Sequence, residues 1–196
     1  MNIEMLPGLD NVVRFPIELR VAPSMAVLYD IAPDPREVLL IAESYKLEPP
    51  NPELAHQVDA ETARYVAEHV LPLAPSERPA ALSGLLDPVV RRAVEACQDA
   101  DRVGKQLVKA EQALLHARTE SGYSAPLLEE AANALSWRAA ELLILAHERC
   151  QEARGVNRAV DIAGRGETWT PYSAAETSDW LVEAGLAARA RTMAQG

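Results

Sequence analysis

The chain has 196 residues, a formal net charge of −10, 14 prolines and 2 cysteines, and 48% of its residues are hydrophobic. A chain of this length folds without a disulfide framework or a structural metal, and its acidic balance argues against nucleic acid as a partner. No apolar run approaches the roughly 20 residues that cross a bilayer, and the first residues lack the features of a secretory signal. We therefore expect an acidic globular protein of the cytoplasm, with no membrane partner.

The first 33 residues predict an N-terminal arm that packs on helices. Pro16 interrupts the weak alternation of the preceding residues, so this segment is not typical of a central strand. Ser24 to Ile31 has the apolar spacing of one short helix.

Several prolines mark the beginnings of helices. Proline suits the first helical turn because its missing N–H would have no partner there, and a polar residue just before it accepts the free N–H groups of that turn. The pattern predicts helix starts near residues 35, 52, 88, 126 and 171, at Asp34-Pro35, Asn51-Pro52, Asp87-Pro88, Ser124-Ala125-Pro126 and Thr170-Pro171.

Residues 34–196 are expected to form a single helical domain. Residues 34–86 read as short acidic helices, and Pro72, Pro75 and Pro79 predict a turn and one short helix over residues 72–86. Residues 87–163 read as a long hairpin, with helices over about 88–118 and 126–154. A final helix is predicted over about 171–192.

The long hairpin is the clearest predicted element. Small and apolar residues recur at steps of three and four from Val90 to Ala117, and again from Leu128 to Ala153. Two long helices with a short connection run antiparallel. Gly155 is expected to cap or bend the second helix, whose apolar pattern continues to Ala163. The fold class is therefore all-α, a helical bundle built around a long antiparallel hairpin.

No catalytic motif accompanies this architecture. The chain lacks the glycine-rich phosphate loops, the His-Glu-x-x-His zinc motif, the Gly-x-Ser-x-Gly elbow and any Cys-x-x-Cys pair. A di-iron bundle uses two Glu-x-x-His pairs, whereas this chain has one such spacing, from Glu53 to His56. We expect no cofactor, and the chain reads more as a binding protein than as an enzyme.

Cys97, His147 and Cys150 are the candidate metal ligands. If the hairpin turns near residues 122–123, residues whose numbers sum to about 246 lie opposite each other, which places Cys97 beside Cys150. His147 precedes Cys150 by three residues and shares its helix face. Zinc accepts this set of ligands. The alternatives are a redox-linked disulfide and, most simply, two thiols that pack as small apolar side chains.

Basic and aromatic residues of the second half offer weaker signals. A basic stretch favours a solvated face or charges at the C-terminal end of a helix over a site for an anion or an acidic partner surface; its residues are Arg149, Arg154, Arg158 and Arg165. Trp137 is expected in the core, whereas Trp169 and Trp180 favour packing on another subunit or on the end of the hairpin.

Two hypotheses about function follow. The first is a non-catalytic protein that acts by association, with itself as a dimer or with another protein, because a hairpin this long needs more apolar cover than short helices provide. The second is a small-molecule- or metal-binding bundle, and as such an enzyme candidate, with a site between the hairpin and the acidic N-terminal half. Its candidate residues are His56, Glu61, Glu141 and His147.

Overall fold

The computed structural model describes residues 24–120 and 125–172, except for the side chains of Glu120 and Ala125. All regular structure in those ranges is helical, so the all-α prediction is confirmed. Two long helices form the predicted hairpin, and three shorter helices pack on it. The helices are α1 (Met25–Ile31), α2 (Pro35–Tyr45), α3 (Leu54–Tyr65, continued by a π-helical turn over Val66–Val70), α4 (Arg78–Glu120) and α5 (Ala125–Gly164).

The first two helices have capped N-termini, and the second begins at the predicted capping residue, Asp34. The hydroxyl of Ser24 accepts a hydrogen bond from the N–H of Val27, and α1 follows. The Asp34 carboxylate accepts a hydrogen bond of 2.8 Å from the N–H of Arg36, while Pro35 occupies the first turn of α2. Both caps satisfy N–H groups that have no partner inside the helix.

The start of α3 and the structure of residues 72–86 differ from the prediction. The Asn51 side chain accepts a hydrogen bond from the N–H of Glu53, which forms a turn, and α3 begins two residues after the predicted start, at Leu54. The predicted turn and short helix over residues 72–86 are wrong in part. Only the first few of these residues form a connection, because α4 already begins at Arg78.

The predicted helix start at Pro88 is also wrong, because Pro88 lies inside α4. A proline within a helix removes one hydrogen bond and crowds the preceding turn, at a cost of about 3 kcal/mol. Apolar contacts on both sides of the proline offset this cost. Leu82 packs in one core cluster, and Val90 and Ala93 are fully buried in another. Tertiary packing therefore decides where α4 begins.

The second long helix is continuous. It begins at Ala125, near the predicted start, and it passes through Gly155 without a cap and ends at Gly164. Residues 165–172 follow as a non-helical segment, so the helix predicted from residue 171 does not begin there. The arm before Ser24, the turn over residues 121–124 and the chain after residue 172 lie outside the described residues.

The core lies along one half of the hairpin. The π-helical turn packs on Leu82 of α4, and α2 packs on Ile144 of α5 through Val38 and Ala42. The largest cluster joins α1, α4 and α5, and its buried members are Leu28, Val90, Ala93, Val94, Cys97, Ala100, Leu142, Ala146, Cys150 and Ala153.

Candidate functional site

The structure brings Cys97 and Cys150 together across the hairpin. Their Sγ atoms are 3.5 Å apart, and both residues are free thiols buried in the main core cluster. The pairing follows from the antiparallel register, which places residues at equal distances from the turn side by side. Two of the three candidate metal ligands are therefore neighbours.

The contact described for His147 is with a neighbour on its own helix. Its Nε2 atom lies 3.3 Å from the Nε2 atom of Gln151. Across residues 24–120 and 125–172, no group of three or more His, Cys, Asp and Glu side chains is arranged to hold a metal ion. Among the described residues, the sulfur atoms of Cys97 and Cys150 are therefore neighbours, and no third side chain is placed to complete a metal site with them.

The two thiols share one hydrogen bond. This bond, together with burial, raises the pKa of the Cys150 thiol. The same bond lowers the pKa of Cys97, because it stabilises a thiolate at that sulfur. The apolar neighbours of both residues favour the role in core packing that the sequence offered as the simplest interpretation.

A buried polar pair lies on the same helix as Cys150. His147 and Gln151 are one turn apart on α5, with exposed fractions of 4% and 2%. Burial, and less strongly the charge of Arg154, lowers the pKa of His147 to about 4, so its imidazole is neutral at pH 7. The Gln151 amide nitrogen contacts His147, whereas its Oε1 atom has no hydrogen-bond partner among the described residues. A buried oxygen without a partner is costly, so it deserves an explanation.

Gln151 lines a cavity between α5 and the connection from α1 to α2. The cavity has a volume of about 450 Å³ and opens on one side to solvent. This volume lies within the range of roughly 300–1,000 Å³ that is typical of small-molecule sites. Its lining residues are Leu28, Tyr29, Ala32, Pro33, Asp34, Pro35, Arg36, His147, Cys150, Gln151 and Arg154.

The rim of this cavity carries more positive than negative charge. Arg36 and Arg154 supply two guanidinium groups, and Asp34 supplies one carboxylate that caps α2. The Arg154 guanidinium carbon lies 5.7 Å from the centre of the exposed Tyr29 ring, a cation–π arrangement. Neither arginine forms an ion pair with a carboxylate in the described ranges. The locally positive rim contrasts with the acidic chain as a whole.

A second polar cluster joins α3 to the segment after α5. Asp59 is fully buried, and its Oδ2 atom accepts hydrogen bonds from Arg158, at 2.7 Å, and from the Trp169 indole, at 3.0 Å. Burial raises the pKa of Asp59, while Trp169 and Arg158 oppose that shift. Arg158 also donates to the Thr170 carbonyl. Trp169 therefore packs within its own chain, and the cluster holds the terminal segment on the bundle.

Sequence reasoning did not find this cluster. Asp59 is one of two acids on α3, and 99 residues separate it from Arg158, so no spacing connects them. Three of the four arginines of the basic stretch form ion pairs within the chain: Arg149 with Glu152, Arg158 with Asp59, and Arg165 with Asp161 and Glu167.

The residues proposed for a site between the hairpin and the N-terminal half do not converge. His147 lines the cavity, but His56 lies beside Tyr172, with ring centres 4.1 Å apart. Glu61 is exposed, and Glu141 is exposed beside Arg138. Of the four, only His147 belongs to the cavity.

The half of the hairpin nearest its turn carries exposed apolar side chains. We define the free half as residues 104–120 of α4 and 125–139 of α5. None of its described side chains belongs to a core cluster, and Ala132 is the one that is buried. Trp137, expected in the core, is 49% exposed and contacts Tyr45 edge to face. The other large exposed apolar residues are Val108, Leu115 and Leu127.

Similarity to known proteins does not assign a role to the chain. No protein-family model, no curated protein and no solved structure matches it. Within residues 24–120 and 125–172, no helix combines the length and apolar character that crossing a membrane requires. The cavity and the free half of the hairpin are therefore the two features of the described structure that point to binding.

Proposed function

We propose that the protein acts by association, and that the free half of the hairpin binds the free half of a second copy. The single observation that carries this proposal is the exposure of its apolar surface. Leu115 is 67% exposed and Leu127 is 74% exposed, and none of the described core clusters includes a residue of the free half. Large apolar surfaces of this kind mark interaction sites.

The apolar pattern of α4 extends along the whole free half. Leu107 and Leu114, seven residues apart on one face, are only half-buried against α5. Val108 and Leu115 form an adjacent exposed row with the same spacing. A pair of helices buries only part of such a wide stripe, whereas four helices bury it completely. Two hairpins side by side would form such a bundle.

The surface is large enough for a specific dimer. The helices of the free half have about 16 residues each and are about 24 Å long, and two helices side by side are about 20 Å across. Each copy therefore presents roughly 480 Å², so a dimer buries roughly 1,000 Å², the minimum expected of a biological protein–protein interface. The estimate fits a dimer that forms reversibly.

Charge favours a second copy over an unrelated partner. In the free half, α4 carries three basic and two acidic residues, whereas α5 carries two acids and one basic residue. A two-fold arrangement sets α4 of one copy beside α5 of the other, where the opposite charge balance of the two helices is favourable, as it already is for Arg118 and Glu129 within one copy. The residues are Lys105, Lys109, Glu111, Arg118 and Glu120 on α4, and Glu129, Glu130 and Arg138 on α5.

The double variant Leu115→Glu, Leu127→Glu tests this proposal. Both side chains are exposed in the single chain, so the substitutions leave its fold intact, while they bury unpaired charge in the dimer. We expect the wild type to be a dimer and the variant a monomer in sedimentation velocity at about tens of micromolar, since micromolar affinity corresponds to about 8 kcal/mol. Circular dichroism checks that helicity is unchanged.

Leu40→Glu is the matched control, because Leu40 is 55% exposed on α2, outside the free half. This variant should sediment like the wild type. A wild-type protein that is monomeric under these conditions contradicts the proposal. So does a double variant that remains dimeric, since the contact would then lie elsewhere.

A further inference from the structure

The chain reverses its direction at the end of α5. The N–H of Gly166 donates to the Ala163 carbonyl at 3.0 Å. The N–H of Glu167 donates to the Ile162 carbonyl, also at 3.0 Å. With Gly166 at a φ of 70°, these two bonds form a Schellman motif, which ends the helix in a tight turn. The segment that follows is therefore free to run back along α5.

Contacts after this turn show the direction of the chain. The Thr170 carbonyl accepts a hydrogen bond from Arg158 at 3.0 Å, and the Arg158 guanidinium carbon lies 4.3 Å from the centre of the Tyr172 ring. The same ring stacks beside His56 on α3. Arg158 lies six residues before Gly164, the last residue of α5. The chain has therefore returned along the helix by about 9 Å when it reaches Tyr172.

The cavity of about 450 Å³ is the next feature along this path. Arg154 lines the cavity and precedes Arg158 by one helical turn on the same face of α5, so their Cβ atoms are about 6 Å apart. Gln151 and His147, which also line the cavity, continue this face toward the beginning of α5. A chain that runs back along α5 past Arg158 therefore meets the open side of the cavity.

The chain beyond Tyr172 is long enough to enter the cavity. Residues 173–196 follow Tyr172 and lie outside the described residues. Trp180 comes eight residues after Tyr172, which corresponds to about 12 Å in a helix and to about 26 Å in an extended chain. Both lengths exceed one turn of α5, so the Trp180 indole reaches the cavity in either conformation.

The first part of this segment matches the charge of the cavity rim. Arg36 and Arg154 are exposed at the rim, with one carboxylate, Asp34, between α1 and α2. Residues 173–183 carry three acids and no basic residue. The acids are Glu176, Asp179 and Glu183. Opposite charges therefore attract this segment to the rim.

We propose that the cavity is the docking site of the chain's own C-terminal segment, residues 173–183. The acids of the segment pair with Arg36 and Arg154, and its Trp180 lies against the apolar side chains of Tyr29 and Pro33. Docking covers the Tyr29 ring, which is 54% exposed without the segment. It also closes the open side of the cavity. The contact lies outside the free half, so it does not depend on the proposed dimer.

Amide hydrogen exchange of the full chain, followed by mass spectrometry, tests this contact. We expect residues 173–183 to exchange at least about tenfold more slowly in the wild type than in a synthetic peptide of the same sequence, because docking protects their N–H groups. Arg154→Glu replaces attraction at the rim by repulsion. In this variant the segment should exchange about threefold to tenfold faster than in the wild type.

Arg138→Glu is the matched control. It makes the same charge change on the same helix, at an exposed arginine that lies outside the cavity and pairs with Glu141. The exchange of residues 173–183 should be unchanged in this variant. A wild-type segment that exchanges like the synthetic peptide overturns the proposal, as does equal exchange of the segment in the two variants.

A photoreactive side chain identifies where the segment docks. Trp180→benzoylphenylalanine in the full chain should cross-link on irradiation to residues 29–36 or 147–154 of the same chain. The product then migrates as a single chain on a denaturing gel, and peptide mass spectrometry locates the link. Thr192→benzoylphenylalanine lies beyond the docked part and should not give this product. Cross-links to the free half, or links that join two copies, overturn the assignment.

Discussion

At the scale of single residues, His147 connects burial to acid sensitivity. Its folded-state pKa of about 4 lies below the ordinary value of 6.5, so the unfolded chain binds a proton in this range that the folded chain does not. Its contribution to stability is therefore complete above about pH 6.5 and is lost as the pH falls toward 4. We expect the loss of this contribution to lower the free energy of unfolding by about 2 kcal/mol between pH 7 and pH 5.

The variant His147→Gln isolates this effect. Glutamine does not titrate, so urea unfolding of the variant should depend less on pH by about 2 kcal/mol over the same interval. Equal pH dependence in the two proteins would show that His147 has the same pKa in the folded and unfolded chain, contrary to its burial.

Cys97 and Cys150 are expected to react slowly with alkylating reagents in the folded protein. The thiolate is the reactive form, and Cys150, which lines the cavity, has a raised pKa. Cys97 is 5% exposed within the core, so a reagent does not reach it. We expect iodoacetamide at pH 7 to modify neither residue rapidly in the native state and both in denaturant, as followed by peptide mass spectrometry. Fast modification of either cysteine in the native protein would contradict the described packing.

At the scale of elements, the contact between α3 and α5 depends on Gly155. A Cβ atom at this position would lie 2.5 Å from the Ala55 carbonyl oxygen and 2.9 Å from the Asp59 nitrogen. Both are backbone atoms, which do not move aside as a flexible side chain would. We expect Gly155→Ala to lower the free energy of unfolding by about 1–3 kcal/mol, measured by urea denaturation.

Gly104→Ala is the matched control for this prediction. Gly104 lies inside α4, and a Cβ atom there would meet nothing within 4 Å. The same chemical change should raise the free energy of unfolding by about 0.5–1 kcal/mol, because alanine favours the helix more than glycine does. Equal effects of the two substitutions would show that α3 and α5 are not in close contact.

Gly155 also shows that local sequence alone does not predict where a helix ends. As a helix-weakening residue it predicts an end or a bend, yet the structure uses it for close helix contact within an unbroken α5. Pro88 misleads in the same way, because it resembles a helix start and lies inside α4. Local propensity amounts to at most a few kcal/mol, which packing of the flanking apolar residues exceeds.

At the scale of the whole molecule, the described chain has two contrasting parts. One half of the hairpin is covered by α1, α2 and α3 and contains the core clusters, the cavity and the Asp59 cluster. The free half consists of two helices with exposed apolar residues. The covered half therefore supplies the stability of the single chain. The exposed apolar residues of the free half are available for contact with a second copy, which the sedimentation experiment tests.

The sequence by itself determined the all-α class, the antiparallel hairpin and the meeting of Cys97 with Cys150. These depend on apolar periodicity and on the distance of each residue from one turn, both of which are local properties of the chain. Only the tertiary structure decided where α4 begins, that Asp59 meets Arg158, and that Gln151 borders a cavity. Each of these depends on contacts between distant segments, whose packing energy outweighs local preference and leaves no periodic pattern in the chain.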